Sequence, residues 1–261
     1  MGFLARQGRS IINRVKDFGY ALGYIGKLLS SGLMFIRRGR VSRKILVMQL
    51  LFTFVEALPI CALLGIGIGT SIILMGNAFL VSLGQAQLTY QLLVIVVMRE
   101  FGPLLIAFVV TARSATAIAT EISTMVVNHE VEAYISVGVN PLDHIAAPRL
   151  LGVTFSLFFL NLYFSIFGLI APAIVIQFIS STSISDYFNN LFTAIEVKYI
   201  VISILKSLIF GMIIATSATY YGFKAGRAST DIPISGLKAV SKSFSLCVLA
   251  DVFITALSYI L

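Results

Sequence analysis

The sequence predicts an all-α, polytopic helical membrane protein, with an N-terminal amphipathic helix at the membrane interface followed by five transmembrane helices. Of its 261 residues, 58% are hydrophobic and only 11% are charged, and the mean hydropathy is +0.98. Soluble domains carry about 25% charged residues, so this chain is too apolar for an ordinary soluble globule. Its apolar runs continue over about 20 residues instead of alternating over about ten, which favours helices over an outer-membrane barrel.

Five apolar stretches are long enough to cross a bilayer. They run from about Glu56 to Val81, Leu88 to Val127, Leu150 to Ile179, Tyr199 to Phe223 and Ser243 to Leu261. A crossing needs about 20 helical residues, so the second and third stretches are expected to tilt or protrude. Residues 56–261 are predicted to form a five-span domain. Residues 1–55 are predicted to form interfacial and elbow helices, with an elbow or re-entrant helix over 34–55.

The N-terminal region is strongly basic. Residues 1–44 hold ten of the nineteen Lys and Arg residues and one acidic residue, Asp17. Within residues 1–33 the apolar positions recur every three, four or seven residues, which predicts an amphipathic helix lying on anionic lipid headgroups. A cytosolic helix packed on a partner protein would give the same pattern. The basic region is too long for a cleaved signal peptide.

The distribution of Lys and Arg predicts the topology. Segments 1–44, 128–149 and 224–242 hold ten, one and four basic residues, whereas 82–87 and 180–198 hold none and one. Cytoplasmic segments carry the positive excess, so the N-terminus is expected in the cytoplasm and the C-terminus outside. An odd number of spans means that one chain cannot contain two equivalent inverted halves, the arrangement that many secondary transporters use. The outer segment is expected to hold a short amphipathic helix from about Ser185 to Ala194.

The segment between the second and third spans is unusual for a cytoplasmic loop. It carries three acidic residues and both histidines of the chain, namely Glu130, Glu132, Asp143, His129 and His144. Loops on this side normally collect Lys and Arg. The segment is also short and is interrupted by Gly138 and Pro141. These features predict a surface that docks a basic partner.

Four ionisable residues lie within the predicted spans: Arg99, Glu100, Lys206 and Asp251. A charge that faces lipid is costly, so each is expected to face protein or a wet cavity. With a rise of about 1.5 Å per residue, all four fall at nearly one depth. The sequence therefore predicts a neutral polar cluster near the membrane midplane. It is either an ion-pair network that fixes helix packing or a polar lining of a pathway, and both roles are compatible.

The first span carries two further patterns. Gly65 and Gly69 form a GxxxG pair, which indicates close helix packing within the chain or between two copies. Near the outer end of the same span, five apolar residues share one broad face: Ile72, Met75, Phe79, Leu80 and Leu83. This face is either core packing or part of a lipid pocket. Cys61 and Cys247 lie in apolar runs without the spacing of a metal site.

The sequence contains, in order, the motifs Arg99-Glu100-Phe101-Gly102-Pro103, Ala112-Arg113-Ser114, Glu121-Ile122, Met125, Glu130-Val131-Glu132-Ala133, Gly138-Val139-Asn140-Pro141 and Pro148-Arg149, with Lys206 and Asp251. With this ordered set the chain resembles the MlaE/YrbE family of permeases, the membrane subunits of bacterial ABC-type lipid transporters that work with mammalian-cell-entry (MCE) proteins. The chain departs from the family pattern in the loop sequence His129 to Tyr134, at Ala115 and at Asn140.

The resemblance implies a homodimer in which a short cytoplasmic helix, within about residues 128–141, fits a groove on an ATPase subunit. The implied coupling residues are His129, Glu130, Glu132, Tyr134, Gly138 and Pro141. Arg113, Glu121 and Arg149 would be structural motif residues. Phospholipid would be held between protomers, with Glu100 and the apolar face of the first span as pocket candidates.

The implied location is the inner membrane of a diderm bacterium. Implied partners are a periplasmic ring of MCE proteins and a small cytoplasmic regulatory subunit, in a role connected with outer-membrane lipid asymmetry. Nucleic acid is not expected as a partner.

The sequence contains no GxxxxGK motif, so it lacks the loop that cradles nucleotide phosphates. We therefore expect a transport subunit without enzymatic activity, metal or cofactor of its own, with ATP and Mg²⁺ bound by the partner ATPase. The alternative is a secondary transporter or channel that uses the intramembrane charges as an ion relay. An intramembrane hydrolase is excluded. A serine hydrolase would need a His within the membrane as its base, and both histidines lie in the predicted cytoplasmic loop. An aspartyl hydrolase would need two facing Asp residues, and Asp251 is the only Asp within the predicted spans.

Overall fold

The computed structural model describes residues 19–20, 23–33, 43–80, 83–179 and 183–260, which form helices and no strands. The helices are α1 (23–33), α2 (Arg43–Thr53), α3 (Leu58–Phe79), α4 (Ala86–Val94), α5 (Phe101–Val110), α6 (Thr116–Val127), α7 (Glu130–Ser136), α8 (Ala147–Ile179), α9 (Ile184–Ala194), α10 (Val197–Phe223) and α11 (Asp231–Ile260). Most of the predicted interfacial helix (1–18 and 21–22) and residues 34–42 of the predicted elbow lie outside the described residues.

The prediction of five apolar spans is confirmed. Helical segments long and apolar enough to cross a membrane run over Lys44–Phe79, Ala86–Val127, Leu142–Phe178, Val197–Phe223 and Asp231–Ile260. The first span is longer than predicted, because only the 3₁₀ turn Val55–Ala57 separates α2 from α3. The third and fifth spans also begin earlier than predicted. Polar residues at the N-terminal ends of these spans lowered the apparent hydropathy without ending the helices.

Glycines bring α3 against α8. A Cβ atom on Gly65 would lie 2.8 Å from the carbonyl oxygen of Phe164, and one on Gly69 would overlap the carbonyl group of Gly168. Small residues allow helix backbones to approach this closely in a membrane, where dispersion contacts replace the hydrophobic effect. The GxxxG pair of the first span therefore serves packing within the chain.

The fourth span, α10, lies at the centre of the bundle and packs on α6, α8 and α11. Gly211 lies against the backbone of Thr154 on α8. The buried amide of Asn161 on α8 donates a 2.8 Å hydrogen bond to Ser203 Oγ on α10. This central position places any charged residue of α10 among its neighbouring helices.

The predicted outer helix near Ser185–Ala194 is observed as α9, Ile184–Ala194. The hydroxyl of Ser183 caps it by accepting a hydrogen bond from the amide of Ser185. Tyr187 is buried, and its hydroxyl donates a 2.6 Å hydrogen bond to the carbonyl oxygen of Leu169 on α8. These contacts fix α9 to the C-terminal part of α8.

Candidate functional site

The four intramembrane charges form one connected cluster. The ammonium nitrogen of Lys206 lies 2.6 Å from Glu100 Oε2 and 2.8 Å from Asp251 Oδ1. Arg99 Nε lies 3.0 Å from Glu100 Oε1. The structure thus brings together all four residues that the sequence placed at one depth, and each charge has an opposite charge beside it.

Polar residues of α11 complete this cluster. Thr255 accepts a 2.7 Å hydrogen bond from Lys206 and donates one of 2.9 Å to Glu100. Ser258 accepts a 2.7 Å hydrogen bond from Arg99, whose guanidinium also lies 4.4 Å from the centre of the Tyr259 ring. Sequence reasoning missed these partners. The spacing of Thr255 and Ser258 from Asp251, four and seven residues, could have indicated them, since such positions share a helix face.

The cations of this cluster are more deeply buried than its carboxylates. The side chains of Lys206 and Arg99 are 0% and 5% exposed, whereas those of Glu100 and Asp251 are 23% and 16% exposed. Lys206 lies nine residues after Val197, and Asp251 lies nine before Ile260. Nine residues correspond to about 14 Å, roughly half of a hydrocarbon core about 30 Å thick. The cluster therefore holds the helices together, and its carboxylates stay partly accessible at the level where a membrane midplane is predicted.

The apolar pocket candidates of the first span lie away from this network. Met75, Phe79 and Leu83 are exposed, with fractions of 63%, 65% and 72%, while Ile72 and Leu80 are half-buried. The polar contacts of Glu100 are instead with Arg99, α10 and α11. Four cavities lined by described residues include none of these six candidates. Their role in lipid binding stays a prediction.

On the cytoplasmic side that the charge bias predicts, the short helix α7 spans Glu130–Ser136 within the segment where a coupling helix is expected. Left-handed backbone conformations bound it at both ends, at His129 (φ 60°) and Gly138 (φ 79°). The amides of Gly138 and Val139 donate to the carbonyl oxygens of Ile135 and Tyr134, as in a Schellman cap. Pro141 immediately precedes the π-helical turn Leu142–Ala146, which leads into α8. The length and direction of α7 are therefore fixed.

The charges of α7 have different surroundings. Glu130 is exposed. Glu132 lies 2.8 Å from His129 Nδ1 and 3.1 Å from Arg227, which lies between α10 and α11. The hydrogen bond with His129 lowers the pKa of Glu132, and Arg227 adds to this effect. Arg227 was not among the predicted site residues, since its partner lies far away in the sequence.

The remaining side chains of α7 point in two directions. Tyr134 is half-buried, with its ring centre 5.3 Å from that of His144. Ile135 and the following Val137 are exposed, with fractions of 60% and 73%. The helix thus presents apolar and acidic groups to its surroundings while Tyr134 attaches it to the start of the third span.

The predicted structural motif residues brace two separate junctions. Arg113 donates to the carboxylate (2.6 Å) and the carbonyl oxygen (2.7 Å) of Glu56, within the 3₁₀ turn of the first span. Arg149 donates to Glu121 (2.6 Å) and to the carbonyl oxygen of Ile145 (2.8 Å). Glu56 as the partner of Arg113 was missed. Within the described part of the chain, no three His, Cys, Asp or Glu side chains are grouped to hold a metal ion.

The family profile described as "Permease MlaE" matches residues 46–257. The chain belongs to the MlaE permease family. This MlaE-family permease is 23% identical over 260 residues to the intermembrane phospholipid transport system permease protein MlaE of Haemophilus influenzae, covering 99% of this chain and 98% of that protein.

Two further relatives show how widely the similarity extends. A probable ABC transporter permease protein of Rickettsia typhi is 24% identical over 215 residues, covering 82% of this chain and 83% of the relative. The Arabidopsis thaliana protein TRIGALACTOSYLDIACYLGLYCEROL 1, chloroplastic, is 24% identical over 216 residues, covering 83% and 62%. The resemblance drawn from the motifs is therefore confirmed. In this MlaE-family permease the matched region contains the charged cluster, α7 and both bracing arginines.

Proposed function

We propose that this chain is the permease subunit of an ABC-type transporter that moves phospholipid between the inner membrane and a periplasmic MCE-protein partner. A separate cytoplasmic ATPase would supply the energy. The observation that carries the proposal is α7, a short exposed helix with acidic and apolar groups, fixed by left-handed residues at both ends. A basic groove on an ATPase would complement such a surface.

The contacts of α7 suit it to transmit movement. Glu132 is paired with Arg227, beyond the end of α10, and Tyr134 packs on His144, just before α8. A displacement of α7 by a docked partner would therefore act on two spans at once. The Schellman cap stabilises the C-terminal end of α7 against fraying during such a displacement.

Phospholipid as the substrate is supported by the similarity to the Haemophilus influenzae relative, which is a permease protein of an intermembrane phospholipid transport system. The exposed face of Met75, Phe79 and Leu83 is chemically suited to acyl chains. The same resemblance supports an MCE ring at the periplasmic side, a small regulatory subunit in the cytoplasm and an inner-membrane location, with the N-terminus cytoplasmic and the C-terminus periplasmic.

A homodimer would explain the partial exposure of Glu100 and Asp251. In a single chain these carboxylates remain 23% and 16% exposed at a depth where contact with lipid is costly. A second copy, enclosing a lipid cavity between the protomers, would shield this face from hydrocarbon. The ion-relay alternative gains less support, since both carboxylates already lie within 3 Å of Lys206.

ATP hydrolysis is assigned to the partner, because the sequence has no GxxxxGK motif. The chain would then contribute no catalytic residue, and ATP and Mg²⁺ would be bound by the ATPase alone.

Docking through α7 can be tested by reversing its two carboxylates, Glu130→Lys with Glu132→Lys. Juxtaposed like charges cost several kcal/mol, so recovery of the ATPase that co-purifies from native membranes should fall by at least about tenfold. The matched control reverses two exposed acids of the opposite end, Asp186→Lys with Glu196→Lys. Both variants should insert normally. Normal ATPase recovery with the α7 reversal would contradict docking through α7. It would favour segment 224–242 as the docking surface instead.

A further inference from the structure

A cavity of about 710 Å³ lies between the first span, α6 and the start of the third span. It is separate from the mid-depth cluster and from the exposed face of α3. Its lining combines apolar and polar residues: Lys44, Ile45, Met48, Gln49, Phe52, Ala117, Ile118, Thr120, Glu121, Thr124, Met125, Tyr134, His144, Ile145 and Arg149. This volume falls within the range of about 300–1,000 Å³ that is usual for small-molecule sites.

The lining changes from polar to apolar in the same direction along two helices. On α2 it begins at Lys44 and reaches Phe52 about 12 Å further along the helix. On α6 it passes from Thr124 and Met125, near the C-terminal end of the helix, through Thr120 and Glu121 to Ala117 and Ile118. Tyr134 and His144 join Lys44 at the cytoplasmic level. The cavity therefore has a polar mouth and an apolar floor, the polarity profile of a phospholipid.

Arg149 supplies an unused donor in the wall of this cavity. The residue is only 4% exposed. Its two terminal nitrogens donate to Glu121 and to the carbonyl oxygen of Ile145, but the buried Nε has no hydrogen-bond partner. A buried donor without a partner costs about 1–3 kcal/mol, and more when it is charged. A rotation of the guanidinium that brings this enclosed nitrogen to the cavity would let an anionic oxygen satisfy it.

We propose that this cavity binds one glycerophospholipid of the cytoplasmic leaflet. Its phosphate would accept hydrogen bonds from Lys44 and Arg149, and one acyl chain would lie along Met48, Phe52 and Ile118. The cytoplasmic position rests on the topology of the proposed function. Because Tyr134 of α7 and His144 line the same cavity, the bound lipid would contact the helix that docks the ATPase. Lipid binding at this site would thus change the contacts of α7.

A photoreactive lipid tests this site. The chain is placed in phosphatidylcholine vesicles that contain phosphatidylglycerol with a diazirine on one acyl chain, and labelled peptides are mapped. Labelling is expected on the cavity residues Met48 and Met125. Lys44→Glu should lower it about tenfold, as for loss of a charge-assisted hydrogen bond. The matched control Lys238→Glu changes an exposed lysine of α11 outside this cavity and should leave labelling unchanged.

A second pair of variants tests the apolar floor. Met48 is 59% exposed beside the cavity and Met75 is 63% exposed on another face, so each can be replaced by Trp without invading the core. Met48→Trp should remove labelling of Met125, whereas Met75→Trp should not. Excess inorganic phosphate should leave labelling unchanged.

Three results would overturn the inference. One is labelling of α2 and α6 that is no stronger than labelling of exposed α11 residues such as Leu249. Another is insensitivity to both Lys44→Glu and Met48→Trp. The third is full competition by inorganic phosphate, which would indicate a simple anion site. ATPase recovery, measured on the same variants, separates failure of the proposed function from failure of this inference, because a chain that binds no ATPase can still be labelled.

Discussion

The ammonium group of Lys206 lies 2.8 Å from the carboxylate of Asp251, and this ion pair joins α10 to α11. The Lys206 side chain is fully buried, so it has no access to water in the single chain. Glu100, at 2.6 Å, is its second acidic partner. Removing one member of such a group leaves a buried charge uncompensated, which typically costs about 3–5 kcal/mol.

Exchanging the two charges tests this pairing. Asp251→Lys alone would place two ammonium groups together and should strongly lower thermal stability in detergent. The double exchange, Lys206→Asp with Asp251→Lys, should recover part of the loss. Recovery should be incomplete because Glu100 would then face the new carboxylate, so adding Glu100→Gln should increase it. Stability of the exchange no better than the sum of the two single effects would show that the charges are not coupled.

Of two nearby glycines on α3, Gly69 lies against α8 and Gly67 does not. A Cβ atom on Gly69 would overlap the carbonyl group of Gly168, whereas one on Gly67 would meet nothing within 4 Å. Gly69→Ala should therefore destabilise the chain by about 1–3 kcal/mol, as overpacking does. Gly67→Ala is the matched control and should be neutral or slightly stabilising, given the higher helix propensity of Ala. Equal thermal stability of the two variants would refute the close approach of these helices.

The cap after α7 depends on the backbone conformation of Gly138. Its φ of 79° is unfavourable for residues with a side chain, although there is space around it for a Cβ atom. Gly138→Ala should weaken the cap by about 1 kcal/mol, while Gly138→Asn, which tolerates this conformation, should weaken it less. Hydrogen exchange of the amides of α7 measures the effect. Exchange that is unchanged in both variants would mean that the cap does not hold the helix.

Much of the fold could be predicted because its signals are local. The five spans and α9 follow from apolar runs and from a few turn residues, whereas the short helix α7 was expected from the resemblance to the permease family. The charged cluster was predictable because each of its members interrupts an apolar run. Because Glu100, Lys206 and Asp251 fall at equal depth along separate helices, they could be predicted to lie close together.

The missed features depend on which helices are neighbours. Glu56 pairs with Arg113 only because the first and second spans are adjacent at a 3₁₀ turn. Gly69 packs against Gly168 only because α3 and α8 approach each other at these residues. The π-helical turns, such as Ile95–Glu100 and Thr111–Ala115, leave no clear pattern in the sequence. Such choices among partners are decided by packing in three dimensions.

The central claim is that this chain moves phospholipid only with a separate ATPase. The direct measurement reconstitutes the chain in liposomes with and without the co-purifying ATPase and follows fluorescent phospholipid together with ATP turnover. Lipid movement is expected only with both proteins and ATP, and the chain alone should hydrolyse no ATP. ATP turnover by the chain alone, or lipid or ion movement driven by an ion gradient without the ATPase, would contradict the account.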